Sequence, residues 1–163
     1  MFQFDLIAVR SIAAIRSVSF AGYHHRATDN MMPEFISSST WTNGWAESGC
    51  IADNTRVELF NERTRLLQPG DFLITKKLNG RGANTMTLLA IGIVIGRKND
   101  ATVYVAWVLP RLELVVPLKE VGTISCQYTL EDIRAQLPTL VQHLELARDI
   151  FLSTNLSTVP RTY

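Results

Sequence analysis

The sequence predicts an α+β domain in which five or six short strands curl into a pseudo-barrel and helices pack around it, one of them a C-terminal amphipathic helix. Three observations lead there. Apolar, β-branched runs bounded by turn residues crowd the stretch from residue 57 to residue 126, as closely spaced strands do. Beyond residue 128 the apolar period changes from two to 3.6, which marks a helix with one buried face. At 163 residues the chain is one domain long, and that many strands in one small domain most simply roll up, because rolling removes the unpaired edges of an open sheet.

Residues 2 to 17 read as an N-terminal helix or extension, with Phe2, Leu6, Val9 and Ala13 on one side and Ile12 and Ile15 widening the stripe. A single domain is expected over residues 18–153, followed by a flexible tail over 154–163. Its first strand lies in "SVSFAGYHH", where Val18 and Phe20 alternate with small or polar residues and Gly22 permits a bend or a close backbone approach. Pro33 ends the loop that follows. Further strands are expected at "VELF" (57–60), "DFLITKK" (71–77), "TLLAIGIVIG" (87–96), "TVYVAWV" (102–108), "LELVV" (112–116) and "GTISC" (122–126).

Turn chemistry separates these runs. "PGD" (69–71) is a tight turn, "NGRGAN" (79–84) a flexible connection, and "RKND" (97–100) a hairpin loop whose Asn99 and Asp100 tolerate left-handed backbone geometry. Gly92, inside a continuous apolar strand, marks sharp curvature. Thr129 with Asp132 has the pattern of a capping box, and Pro138 suits the first turn of a further helix. Leu140, Leu144, Ala147 and Phe151 then recur at helical spacing beside Gln142, Glu145 and Asp149, so one helix, or two joined near Pro138, closes one side of the barrel.

Composition narrows the function. Hydrophobic content of 47% describes a folded protein, and sixteen basic against fifteen acidic residues argue against gripping a long phosphate backbone by electrostatics alone, though a small basic patch is compatible with them. Cys50 and Cys126 lack metal-ligand spacing and read as free thiols of a cytoplasmic protein. Asp5, Arg10 and Arg16 break the apolar N-terminus, and "TMTLLAIGIVIG" is only 12 residues long, so no membrane association is expected. No phosphate-binding loop, metal-ligand pair or nucleophile elbow appears, and no cofactor is expected.

Candidate binding residues come from the aromatic segments. Trp41 and Trp45 stand four positions apart in "FISSSTWTNGWAES". On a turn of helix they stack on one side of it; on a loop, one anchors in the core while the other faces a pocket. Each indole offers a face on which a nucleobase can stack, while Ser38 and Asn43 can read a base edge; equally, both rings can pin an irregular lid to the barrel. Trp107 shares the face of Val103 and Val105, which suits a core position or a wall of the same pocket. His24 and His25 are adjacent, hence on opposite faces of a regular strand, and cannot both point into one site without irregular backbone; Tyr23 and His24 are the candidates for the pocket wall. Lys76 and Lys77 end their strand with one side chain toward the barrel and one toward solvent, and the inward one is a candidate phosphate contact or base.

The order of pieces resembles a known family. Phe35 and Ile36, the Trp41 to Trp45 segment, Gly70 and Asp71 with Lys76, Ala90 to Val94, Val105 with Trp107, and Gly122 to Ile124 together resemble PUA-like domains related to EVE domains. In particular they resemble the N-terminal domains of McrB-type AAA restriction ATPases, over roughly residues 18 to 128. The resemblance implies a mixed-strand pseudo-barrel and a pocket that accepts a flipped, often modified, nucleobase, in a bacterial or phage defence setting. Unstacking such a base costs a few kcal/mol, which an aromatic cage offsets without a broad basic groove. Any motor or nuclease subunit would be a separate polypeptide. The segment 46–68 is longer than the resemblance implies, and the connection from Lys76 to Thr87 is shorter.

The expected function is therefore a non-catalytic module that binds a modified or unmodified nucleobase in DNA or RNA, or a free nucleotide. Two alternatives stand beside it. One is a small amidohydrolase like those among ASCH-type domains, which needs Lys76 or Lys77 beside a Thr and a carboxylate from Asp71, Glu113 or Glu120. The other is an interaction subunit whose C-terminal helix docks on a partner or on a second copy to form a homodimer.

Overall fold

The computed structural model describes residues 17–22, 37–42, 62–119 and 124–158. Seven strands lie in that span: β1 (Val18–Gly22), β2 (Ser37–Thr42), β3 (Phe72–Leu78), β4 (Met86–Asn99), β5 (Thr102–Leu109), β6 (Leu114–Val116) and β7 (Ile124–Tyr128). Two helices follow, α1 (Leu130–Gln136) and α2 (Pro138–Thr158). The fold is thus mixed α+β with a C-terminal helix. The strand expected at 57–60 and residues 2–16 of the helix expected over 2–17 lie outside the described residues.

The strands form one sheet in the order β2-β5-β4-β3-β1-β7, with β6 pairing the start of β4. All neighbours are antiparallel except β1 and β3. Alternation along each strand divides the core in two. Val18, Phe20, Phe72, Ile74, Ala106 and Val108 belong to a large cluster with α1 and α2, whereas Ala21, Leu73, Val103, Val105 and Trp107 belong to a second, smaller one. In β4 the parity changes: Met86 and Leu88 join the first cluster, and so do Ile91 and Ile93. An extra residue at Leu89 accounts for the change, because Thr75 pairs with Ala90 but Lys76 pairs with Leu88. Such a bulge bends a long strand and lets both its halves face one core.

The sheet is strongly rolled. From β2 to β1 there are four interstrand steps, about 19 Å in a flat sheet, yet the Trp41 indole on β2 donates to the Gly22 carbonyl on β1 at 2.9 Å. An indole cannot span that gap unless the two strands have come round to face each other. Trp41 belongs to the second cluster, so the sheet rolls around that cluster. Register agrees with this. Gly22 is level with Lys76 and hence with Leu88 of β4, while Trp41 is level with Val103 and hence with Arg97, nine positions further along the same strand. Strands that close into a barrel must accumulate such an offset.

Local sequence explains the joints. Gln68 to Asp71 is a turn with Pro69 and then Gly70 (φ 96°) at its centre, and the Asp71 carboxylate accepts the Gln68 N–H at 2.8 Å. Arg97 clamps the preceding helical turn (62–65): Nη2 donates to the carbonyls of Thr64 and Leu67, each at 2.7 Å. Burial, the largest influence, holds its pKa below the usual arginine value; Asp100 works against that shift and Arg65 with it. The β4–β5 hairpin turns on Asp100 and Ala101, with Asn99 Oδ1 accepting the Ala101 N–H at 2.9 Å. Left-handed geometry, expected there, is not used: among the described residues only glycines have positive φ. A register break between Arg97 and Asn99 and the Asn99 side chain make the turn instead.

The helices follow their sequence signals. Thr129 accepts the Asp132 N–H, and the Asp132 carboxylate accepts the Thr129 N–H, which completes the capping box. Pro138 opens α2 directly after Leu137 closes α1. Leu140, Val141, Leu144, Ala147 and Phe151 are buried in the first cluster. α2 runs on to Thr158, past the boundary expected at 153, as a helix continues until a residue breaks it and none stands between Ser153 and Thr158.

Candidate functional site

Trp41 is fully buried and hydrogen-bonded, and this corrects two expectations at once. Residues 37–42 form a strand, neither a helical turn nor a loop. The ring is enclosed within the second cluster, so it presents no face for a base to stack on. Polar neighbours do not expose it because β2 pairs along its whole length with β5, and residue 41 falls opposite Val103 on the face that the sheet rolls around. Trp107 is likewise fully buried. Of the two roles weighed for it, core and pocket wall, the structure gives it the core.

Gly92 makes that packing possible. A Cβ at Gly92 would collide with Val105 Cγ1 and would lie 2.8 Å from Trp107 Cε3. The glycine expected to mark curvature therefore leaves room for the Trp107 ring.

The remaining candidates divide sharply. Ser38 pairs with Ala106 and Trp41 with Val103, so positions 38 and 41 fall on opposite faces of β2 and cannot serve one pocket together. Lys76 is buried, at 3% exposure, while Lys77 is exposed. Lys76, however, follows the parity of Ile74, a member of the first cluster, and so stands across the sheet from the two tryptophans. Tyr23, His24, Asn43 and Trp45 lie outside the described residues.

Two hydroxyls were not singled out by the sequence. Ser19 and Thr75 are fully buried, and among the described residues neither hydroxyl has a hydrogen-bond partner. They occupy adjacent parallel strands, Ser19 level with Leu73 and Thr75 level with Ala21, on the face of the second cluster. Buried hydroxyls normally hold a partner, water or ligand. A serine and a threonine within strand-forming sequence give no signal until the register is known.

What meets at the seam is backbone and chain direction. Gly22 ends β1, accepts the Trp41 indole, and is level with Lys76. In sequence, Tyr23 and His24 follow Gly22, while Asn43 and Trp45 follow Trp41 and Thr42. One pairing weighed for the hydrolytic alternative, Lys76 with Asp71, is not brought together. Asp71 lies just before β3 and Lys76 five residues further along, about 17 Å apart along the strand, and adjacent Thr75 and Lys76 fall on opposite faces. Asp71 is committed to its turn through Gln68. Leu140, Leu144, Ala147 and Phe151 of α2 are packed in the first cluster, while Leu146 on the same helix is exposed.

No family model, curated protein or solved structure matches the chain. Among the described residues, no helix is long and apolar enough to cross a membrane, and no group of three or more His, Cys, Asp or Glu side chains is placed to hold a metal ion.

Proposed function

We propose that the chain is a non-catalytic recognition module with a PUA-like pseudo-barrel that binds a nucleobase, modified or unmodified, within a nucleic acid or as a free nucleotide, in a bacterial or phage defence setting. The Trp41–Gly22 bond carries this reading. It ties the end of β1 to β2, so the two chain segments bearing the remaining aromatic and polar candidates depart from one seam. Trp41 is the support of that seam. In this reading Trp45 supplies the stacking face, Tyr23 and His24 the wall and Asn43 a base-edge contact, while Lys76 stands level with Gly22. The hydroxyls of Ser19 and Thr75, without a partner among the described residues, lie on the face the sheet encloses.

Calorimetric titration with modified and unmodified nucleosides and nucleotides tests it. Trp45→Ala is expected to weaken binding at least tenfold, since one stacked base is worth about 1 to 3 kcal/mol, with the thermal midpoint unchanged. Binding that survives the substitution, or no binding by any nucleoside or nucleotide, overturns the reading.

A further inference from the structure

We infer that the tip of the β3–β4 hairpin is a phosphate-contacting surface, so that the natural ligand is a nucleic acid strand whose backbone is held by Lys77, Arg81 and Lys119. The inference deepens the base-binding reading and rests on it only for the base itself.

From Phe72 to Asn99 the chain carries Lys76, Lys77, Arg81, Arg97 and Lys98 and no carboxylate, within a protein whose formal net charge is only +1. Three of these cations are placed elsewhere: Lys76 is buried, Arg97 is turned onto the carbonyls of Thr64 and Leu67, and Lys98 sits near the far end of β4. Lys77 and Arg81 remain at the tip, both exposed. The chain beyond β6 adds a third cation, because Lys119 Nζ donates to the Gly80 carbonyl at 3.2 Å. An ammonium has two further donors to offer.

The tip is held in shape. Asn79 Nδ2 donates to Thr85 Oγ1 at 3.0 Å, and Thr87 Oγ1 donates to Asn79 Oδ1 at 2.8 Å, which closes the neck of the loop. Gly80 (φ 113°) and Gly82 (φ 82°) take backbone conformations that side chains resist, and a Cβ at either would meet nothing within 4 Å. Open space above a glycine backbone, flanked by cations, admits phosphate oxygens to side-chain and main-chain donors together. Exposed Glu113 precedes the Leu114–Leu88 pair and so lies on the side of β6 away from the tip, and Glu120, next to Lys119 in sequence, lies outside the described residues. The loop begins three residues after Lys76, the residue level with Gly22 at the seam. A strand whose base enters at the seam would therefore lay its phosphates across the tip.

The test is fluorescence anisotropy with a labelled single-stranded DNA of about 12 nucleotides, run on the full chain between about 50 and 200 mM salt, beside calorimetry with nucleosides. Three phosphate contacts predict about a 20-fold loss of affinity over that range. Arg81→Glu is expected to weaken binding about tenfold and flatten the salt dependence by about one contact. Lys98→Glu makes the same charge change at the other end of β4 and is expected to leave both within about twofold. If Arg81→Glu does not fold, Lys77→Glu carries the same comparison. Equal effects of the two reversals, a flat salt dependence, or no DNA binding overturn the phosphate surface; nucleoside binding that persists in those cases leaves the base reading standing. DNA binding that depends on Arg81 without any nucleoside binding upholds the surface and removes the base reading.

Discussion

The indole N–H of Trp41 donates to the carbonyl oxygen of Gly22 at 2.9 Å, joining two strands that are four steps apart in the sheet. Cutting this bond leaves a buried carbonyl without its donor. Trp41→Phe is expected to cost about 1 to 3 kcal/mol, and Trp41→Ala, which also empties the centre of the second cluster, about 3 to 5 kcal/mol. Urea denaturation measures both. A Phe variant as stable as the parent would show that the seam is held by something else.

Gly92→Ala places a methyl group against Val105 and the Trp107 ring, both fully buried. Overpacking of this kind costs about 1 to 3 kcal/mol, visible as a lowered denaturation midpoint with the far-ultraviolet spectrum retained. Trp107→Leu in the same chain should recover part of the loss, because it withdraws the atoms that a Cβ would meet.

Thr75→Val is expected to leave the protein as stable or up to about 2 kcal/mol more so, since it removes a buried hydroxyl that lacks a partner among the described residues. A denaturation midpoint that falls instead would reveal a bound water or ligand on that hydroxyl.

Asp132 predicts a response to acid. The Thr129 backbone N–H, then the Thr129 side chain, hold its carboxyl below the ordinary aspartate value. A depressed folded-state pKa contributes stability above the unfolded value and loses it as pH falls through the folded one. The Asp132 carboxyl should titrate below the ordinary aspartate range when followed by NMR, and exchange protection at the start of α1 should decline through the same interval. Asp132→Asn should remove that decline. A titration at the ordinary value would rule out the cap in solution.

The candidate site was partly legible because two kinds of signal behave differently. Trp107 could be placed from its alternation with Val103 and Val105, a pattern written into consecutive residues. Trp41 could not, because "SSSTWT" has no apolar alternation to show that it is a strand; only the Thr-Trp-Thr ending hints at strand propensity. The division of Ser38 from Trp41 across β2 follows at once when the pairing is known and not before. One of Lys76 and Lys77 could be expected inside and the other in solvent, but that Lys76 is the buried one, on the face away from the tryptophans, depended on which cluster Ile74 joined.

By itself the sequence determined the elements governed by near neighbours: the turn at Gln68–Asp71, the capping box at Thr129, the helix opened by Pro138, and the runs that became β3, β4 and β5. Each depends on residues a few positions apart, whose propensities and hydrogen bonds act within one stretch of chain. Only the tertiary structure decided that the sheet rolls around Trp41 and Trp107, that Gly22 receives the indole, and that Ser19 and Thr75 are enclosed. Those outcomes depend on register accumulated across several strands, and a shift of one residue in any pairing would carry each side chain to the opposite face.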